Sequence, residues 1–288
     1  MSHTRRVRSI AIAGAAGLAL ASAAHAELTV GLTSSSQLVS FDTAAPGAIL
    51  LTSPAISGLV QGDSIVDIDY YPVNGLLHGI GSSGTLYRID RATGIATLDA
   101  TPQTSMGVVQ DMDFNPSADR LRVFSAGDAN FRITPSVGTA GSNGANTGLV
   151  TSDGTLAFAG GSPNPNLVGA AYTNNFDGTA TTSLYSIDAD LDALIIHSGA
   201  PQFSTLAQVG SLGFNVGQNV GFDVSNSGVA FVSNGNSLFT INLASGALSA
   251  IGTIGGGLSV TTIAVVPAPA GAAAFLGLGA LALARRRR

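Results

Sequence analysis

The sequence contains no cysteine, no tryptophan and no lysine. Without cysteine, the chain has neither a disulfide framework nor a nucleophilic thiol. Only 10% of the 288 residues are charged, and seven of the 12 arginines lie in the two chain ends. Residues 27–267 contain the other five arginines and all 17 acidic residues, so they carry a net charge of −12. Nucleic acid is therefore disfavoured as a partner, because few cations are present to neutralise its phosphates.

Residues 1–26 have the three parts of a secretory signal peptide. Three arginines among the first eight residues precede an apolar run over 10–21, and an Ala-x-Ala pattern ends at Ala26. This layout predicts cleavage by signal peptidase after Ala26 and export of the rest of the chain. A buried first helix is the alternative interpretation.

The other chain end, 268–288, is predicted to be a sorting or transmembrane segment with an arginine tail. Pro267, Ala268 and Pro269 precede an apolar run over 271–284 and four terminal arginines. The run is short for a spanning helix, which needs about 20 residues. The basic tail favours the cytoplasmic side of a membrane.

This layout resembles the C-terminal sorting signal known as PEP-CTERM, with Ala268 where the name of the motif has Glu. The resemblance implies an exosortase-like sorting enzyme as a partner and processing near Pro267, Ala268 and Pro269. It also implies a location in the cell envelope, at the cell surface or in the extracellular matrix of a Gram-negative-type bacterium. An ordinary tail anchor is the alternative.

Between the ends, 27–267, two kinds of short strand recur. The first kind alternates apolar and polar residues and mostly ends in Asp or Asn before a turn that contains glycine. Its five copies begin 48, 45, 53 and 54 residues apart, at Leu38, Leu86, Phe131, Leu184 and Leu238. Several strands per unit at this period are typical of a β-propeller.

The second kind of strand precedes the later four copies of the first. Its copies are 67–72, 111–116, 168–173 and 220–225, and a fifth, 261–267, stands at the end of the body. The first unit lacks this strand and begins directly at Leu28. We therefore predict an all-β, five-bladed β-propeller, closed by pairing of its N- and C-terminal strands. A sandwich or jelly roll is the alternative, and a sixth blade would require a hidden unit in 136–166, which we interpret as one outer hairpin.

The body also resembles a bacterial family known only as domain of unknown function 4394. The resemblance rests on the segment 113–123, which begins Asp-Phe-Asn-Pro, and on Asn130-Phe131-Arg132 after it. It extends over about 28–267. It implies a propeller-like repeat and carries no established activity.

Residues for catalysis are scarce in the body. It has two histidines, His78 and His197, and neither has a partner at metal-ligand spacing. No catalytic residue and no organic cofactor is predicted.

Three aspartates, Asp69, Asp113 and Asp223, stand at equivalent points of the second kind of strand. If these strands line the central channel, the three carboxylates converge on a cation such as calcium, which takes several oxygen ligands. The competing interpretation is a local hydrogen bond from each side chain to its own turn.

The arginines form a second cluster, because all five of the body lie between Arg88 and Arg132. Arg120, Arg122 and Arg132 are the candidate anion-binding residues. Arg120 and Arg122 share one strand face, and ion pairs with Asp119 and Asp128 are the structural alternative.

Three functions follow from these patterns. The preferred one is an exported, non-enzymatic propeller that binds an extracellular polysaccharide or protein, or acts as a scaffold. The alternative is a secreted metal-dependent enzyme, similar to a lactonase or lyase, that uses the channel aspartates. A purely structural matrix protein is the third.

Overall fold

The computed structural model describes residues 26–138 and 146–267. Its strands form five sheets. In chain order, β1 (Leu28–Thr33), β2 (Gln37–Asp42) and β3 (Ile49–Ala55) begin blade 1. Blade 2 consists of β4 (Ile65–Tyr71), β5 (Leu76–Gly81), β6 (Leu86–Ile89) and β7 (Ala96–Ala100). Blade 3 consists of β8 (Val109–Asn115), β9 (Arg120–Ser125), β10 (Ala129–Ile133) and β11 (Val150–Thr155).

The second half of the chain completes the ring. Blade 4 contains β12 (Ala157–Phe158), β13 (Leu167–Tyr172), β14 (Leu184–Asp188), β15 (Ala193–Ser198) and β16 (Thr205–Ser211). Blade 5 contains β17 (Val220–Val224), β18 (Ala230–Asn234), β19 (Ser237–Ile241) and β20 (Leu248–Thr253). A short 3₁₀ helix (Ile254–Gly256) leads to β21 (Val260–Val265), which returns to blade 1.

The ring closes where the sequence predicts. β21 pairs antiparallel with β1, with Thr29 opposite Val265 and Gly31 opposite Ile263. Blade 1 therefore has the order β21-β1-β2-β3 and joins the two ends of the body. The innermost strands β4, β8, β13, β17 and β21 each contact the next around the ring. The predicted five-bladed, all-β propeller is confirmed.

The repeated Asp or Asn at the end of the first kind of strand has a local cause. Asp42, Asp90, Asp188 and Asn242 each accept a hydrogen bond on Oδ1 from a backbone amide two residues further on. Such bonds stabilise the turn that begins at that residue. The sequence repeat is therefore a repeat of strand and turn.

The core lies between the blades. At the junction of blades 2 and 3, the rings of Tyr71 and Phe114 stack with centroids 4.3 Å apart. Both side chains are fully buried. Aromatic and aliphatic side chains from neighbouring sheets fill each junction in this way, which removes their apolar surface from water and fixes the blades around one axis.

The predicted outer hairpin in 136–166 is wrong. β11 pairs with β10 and forms the outer strand of blade 3, whereas β12 pairs in parallel with β16 at the edge of blade 4. The segment thus connects two blades, because β10 and β16 each offer a free sheet edge to one of its strands. Residues 1–25 of the predicted signal peptide and the predicted hydrophobic C-terminal helix lie outside the described residues. Among the residues that the structure describes, no helix is long and apolar enough to cross a membrane.

Candidate cation site in the central channel

Asp69, Asp113 and Asp223 come from three different blades and meet at the centre of the ring. They lie on β4, β8 and β17, which are innermost strands. One carboxylate oxygen of each lies within 4.8 Å of the others, and each residue is only 2% exposed. The five-fold repeat of the innermost strand brings together side chains that are far apart in the sequence. We call these three residues the channel triad.

Each carboxylate of the channel triad also connects two blades. Asp69 accepts hydrogen bonds from the amide of Tyr70 on its own strand (2.6 Å) and from the amide of Phe114 in blade 3 (2.9 Å). Asp113 accepts one from the amide of Tyr172 in blade 4 (3.1 Å).

Asp223 repeats the same arrangement at the closure of the ring. It accepts hydrogen bonds from the amide of Val224 on its own strand and from the amide of Val265 in blade 1. The alternative interpretation, a hydrogen bond from each side chain to its own turn, does not account for all of these contacts. Each carboxylate also accepts a hydrogen bond from an amide of another blade.

Two further aspartates, Asp67 and Asp111, lie two residues before Asp69 on β4 and Asp113 on β8. Asp67 accepts hydrogen bonds from the amides of Ile68 and Met112 (both 2.8 Å) and from the hydroxyl of Thr262. Asp111 is 6% exposed; no N–H or O–H group donates to its Oδ2, and its carboxyl group lies against that of Asp67. The side chains of a strand alternate between its faces, so residues two apart share a face. The channel therefore holds five carboxylates in two layers.

This concentration of negative charge changes the acidity of the channel triad. Burial, followed by the charge of Asp223, raises the pKa of Asp69 well above its usual value. Burial and the charges of Asp69 and Asp223 do the same to the pKa of Asp113. Burial raises the pKa of Asp223 to about 7, against the opposing effect of its two amide hydrogen bonds. Carboxylates this close need a shared proton or a cation between them.

The described arginines do not supply that cation. Their ion pairs are with Asp99 and Asp153, which lie on the outer strands β7 and β11. Carboxylate oxygens are ligands that hard cations such as calcium prefer. The channel triad can thus hold a cation by the chemistry of its donors.

The three candidate anion-binding arginines lie away from the channel, around Asp153. Arg132 forms two parallel hydrogen bonds with the carboxylate of Asp153 (2.6 and 2.7 Å), and Arg122 donates to the same carboxylate (2.6 Å). Arg120 donates to the carbonyls of Arg132 and Leu149. The ion pairs that Arg122 and Arg132 form are with Asp153, because β11 brings that residue beside β10.

Arg122 is the most enclosed of these arginines, with a side chain only 1% exposed. Its guanidinium also donates to the hydroxyl of Tyr172, to the side chain of Asn130 and to the carbonyls of Pro201 and Gln202. Asp153 therefore occupies the position that an anion would take between Arg122 and Arg132. The anion-binding patch stays a prediction.

A buried serine–histidine pair was not expected from the sequence. Ser186 Oγ lies 2.6 Å from His197 Nε2, and His197 Nδ1 lies 2.9 Å from the carbonyl of Phe203. Phe124 stacks on the imidazole, and Ser186 is fully buried. The pair has the contacts of a nucleophile and its base but no route to a substrate, so it acts in packing. His78 is likewise buried, at the junction of blades 2 and 3.

The predicted processing residues lie at the edges of the described chain. Ala26 is exposed and immediately precedes the propeller, and Pro267 is the last described residue after β21. Ala268 and Pro269 lie outside the described residues. Both predicted cleavage points thus flank the ring without interrupting a strand.

The sequence analysis missed Asp67, Asp111, Thr262 and Asp153. A signal existed for the first two, because an Asp-x-Asp pattern ends at two of the three triad positions, at 67–69 and at 111–113. Thr262 and Asp153 carry no comparable pattern, and only the ring and the pairing of β11 bring them to their partners.

The chain is similar to several solved structures at low sequence identity. A symmetrical protein described for its de novo evolutionary emergence is 12% identical, with a TM-score of 0.50 over 84% of this chain and 100% of its own. A structural genomics protein of unknown function from Bacteroides thetaiotaomicron is 14% identical, with a TM-score of 0.49 over 86% of this chain and 68% of its own. A gluconolactonase from Xanthomonas campestris is 13% identical, with a TM-score of 0.45 over 81% of this chain and 78% of its own.

Comparison with curated proteins gave no match. Residues 37–264 match a family model over nearly the whole ring, from β2 to β21. The chain therefore belongs to the family described as domain of unknown function DUF4394.

Proposed function

We propose that this protein is an exported propeller that acts as a binding or scaffold module, and that a cation in its channel holds three of its blades together. The observation that carries the proposal is the convergence of Asp69, Asp113 and Asp223, buried and within 4.8 Å of one another. A cation among them neutralises the carboxylates and leaves their hydrogen bonds to neighbouring blades in place. The rigid ring then presents its loops to a ligand.

The spacing of the channel triad suits calcium. Calcium binds oxygen at about 2.3–2.6 Å, so two ligands on opposite sides of the ion lie about 5 Å apart. The separation of up to 4.8 Å between the carboxylate oxygens is compatible with this. Calcium takes six to eight ligands in proteins, so water completes the coordination.

Export and sorting are supported by the two chain ends. The Ala-x-Ala pattern that ends at Ala26 suits signal peptidase, and the Pro-x-Pro element with its arginine tail suits an exosortase-like enzyme. Both ends flank a ring that is complete between β1 and β21. The proposed location is the cell envelope, the cell surface or the extracellular matrix, where a polysaccharide or a protein is the ligand.

Calorimetric titration of the full chain with calcium, after treatment with a chelator, tests the channel site. We expect saturable binding that Asp113→Asn weakens at least tenfold. This variant can keep the hydrogen bond from the amide of Tyr172 through its Oδ1. Asp177→Asn, at an exposed position, is the charge-matched control and is expected to bind as the unmodified protein does. Absence of heat at millimolar calcium overturns the proposal.

Intact-mass measurement of the protein from its native host tests export and sorting. We expect a mature N-terminus at Glu27 and a C-terminus near Pro267. A variant that lacks 268–288 keeps every described strand and is expected to leave the envelope fraction. An intact mass of the whole 288-residue chain contradicts both processing steps.

A second candidate function, a lactonase- or lyase-like enzyme, has one specific observation in its favour. The pKa of Asp223 is raised to about 7 by burial, which suits a general base at neutral pH. Incubation with panels of lactones and glycans, with and without calcium, separates the two functions. Turnover that Asp223→Asn abolishes would replace the binding function with the enzymatic one.

A further inference from the structure

One end of the channel opens into a cavity of about 180 Å³. It lies at the starts of the innermost strands, above the layer of Asp67 and Asp111. Besides these two carboxylates, its polar lining consists of the amide side chains of Gln110, Gln218 and Asn219 and the hydroxyls of Thr261 and Thr262. We call this space the channel mouth. It is distinct from the channel triad, which lies two residues further along the strands.

The two carboxylates of the channel mouth differ in how they are bonded. Both oxygens of Asp67 accept hydrogen bonds, from two amides and the hydroxyl of Thr262. Asp111 lines the same cavity and is only 6% exposed. No N–H or O–H group donates to its Oδ2, and its carboxyl group lies against that of Asp67. A buried carboxylate oxygen without a donor is unfavourable, so this atom indicates a ligand that the cavity accepts.

The lining of the channel mouth selects the charge of that ligand. It contains no arginine, and its polar groups are carboxylate, amide and hydroxyl. An anion would be repelled here. A hard cation finds the oxygen donors it prefers, and the cavity is large enough to keep several water molecules on the ion.

We propose that the channel mouth binds a second divalent cation of the calcium class, coordinated by Asp111 and Asp67 and by oxygens of the surrounding amide and hydroxyl side chains. The ion lies above the channel triad by about 7 Å, the length of two residues of a strand. Two divalent cations then balance four of the five carboxylate charges in the channel. This inference concerns residues other than the channel triad and does not depend on the proposed function.

Calcium stoichiometry tests the second site separately from the first. In calorimetric titration of the full chain we expect two ions per molecule for the unmodified protein and for Asp177→Asn. Asp111→Asn is expected to lose one ion and to keep the other with its affinity changed less than threefold. Asp113→Asn is expected to lose the other ion. Circular dichroism in a chelator checks that each variant is folded.

Each outcome assigns the result to one site. If Asp111→Asn binds two ions as the unmodified protein does, the second site is overturned while the channel triad stands. If Asp113→Asn still binds two ions while Asp111→Asn loses one, the cation at the channel triad is overturned and the channel mouth stands. A single ion that only Asp113→Asn removes also overturns the second site.

Discussion

Asp69 on β4 accepts a 2.9 Å hydrogen bond from the amide of Phe114 on β8, and so connects blade 2 to blade 3 through the channel. The same carboxylate is one of three that meet at the centre of the ring. One side chain therefore serves both the cohesion of the blades and the candidate cation site. These two roles respond differently to removal of a cation, which makes them separable by experiment.

Asp69→Ala is expected to destabilise the calcium-loaded protein by about 2–4 kcal/mol, because two buried amides lose their acceptor. In a chelator the loss should be smaller, since the substitution also relieves repulsion between the three carboxylates. Urea unfolding with and without calcium measures both values, and Asp177→Ala is the exposed control. Equal losses in the two conditions would contradict a cation at the channel triad.

Gly221→Ala is expected to destabilise the ring by about 1–3 kcal/mol through overpacking. A Cβ atom at this position would collide with the backbone of Thr262 and Ile263, so the glycine permits the close approach of β17 to β21. Gly217→Ala is the matched control, because the nearest atom to its new Cβ is Asn234 Oδ1 at 3.9 Å. Thermal unfolding of both variants checks the prediction. It is wrong if the two midpoints agree within error.

Arg122→Met is expected to lower the free energy of unfolding by about 3–5 kcal/mol, because it breaks a buried ion pair with Asp153. Arg120→Met should cost less, since that side chain donates only to neutral acceptors, two carbonyls and a hydroxyl, at 3.2–3.3 Å. Urea unfolding compares the two. A small loss for Arg122→Met, together with stabilisation of the unmodified protein by added anions, would favour the anion-binding patch instead.

His197 is expected to make stability depend on pH. Burial, aided by the charge of Arg122, lowers its pKa from 6.5 to about 4, although the contact with the carbonyl of Phe203 opposes this. Between these two pH values the unfolded chain binds a proton that the folded chain does not. Stability is therefore complete above pH 6.5 and falls as the pH decreases towards 4.

The matched variant for this effect is His197→Gln, which can still bond Ser186 and the carbonyl of Phe203. Between pH 7.5 and pH 4.5, the unmodified protein should lose about 2–3 kcal/mol more than the variant. Contributions of the aspartates cancel in this comparison because both proteins contain them. Parallel pH profiles would show that His197 is not buried as a neutral residue.

The fold was largely predictable because the repeat arises from hydrogen bonds between residues that are close in the sequence. Asp42 ends its strand and Asp90 directly follows its strand, and both accept hydrogen bonds from the following turn. This pairing of strand and turn recurs along the chain. The strand 260–265 is a fifth copy of the second kind of strand, and only the first unit lacked such a strand. Its pairing with β1 therefore followed from the number of copies. The segment 136–166 escaped prediction because its strands pair with different blades, and no local pattern specifies the partner.

The candidate site was predictable only in part. Equivalent positions in the repeat identified Asp69, Asp113 and Asp223 as side chains that could converge. The repeat did not identify Asp153, which forms the ion pairs with Arg122 and Arg132. That pairing depends on which strand lies beside β10, a property of the sheet rather than of the sequence near the arginines.

The amino-acid sequence by itself determined the number of blades, the closing strand and the positions that face the channel, because these follow from a period of strands and turns. Only the tertiary structure decided that the channel carboxylates receive amides from the next blade, that no N–H or O–H group donates to Asp111 Oδ2, and that Arg122 is enclosed. Such relationships depend on distances between strands of different blades, and those distances exist only when all five blades pack around one axis.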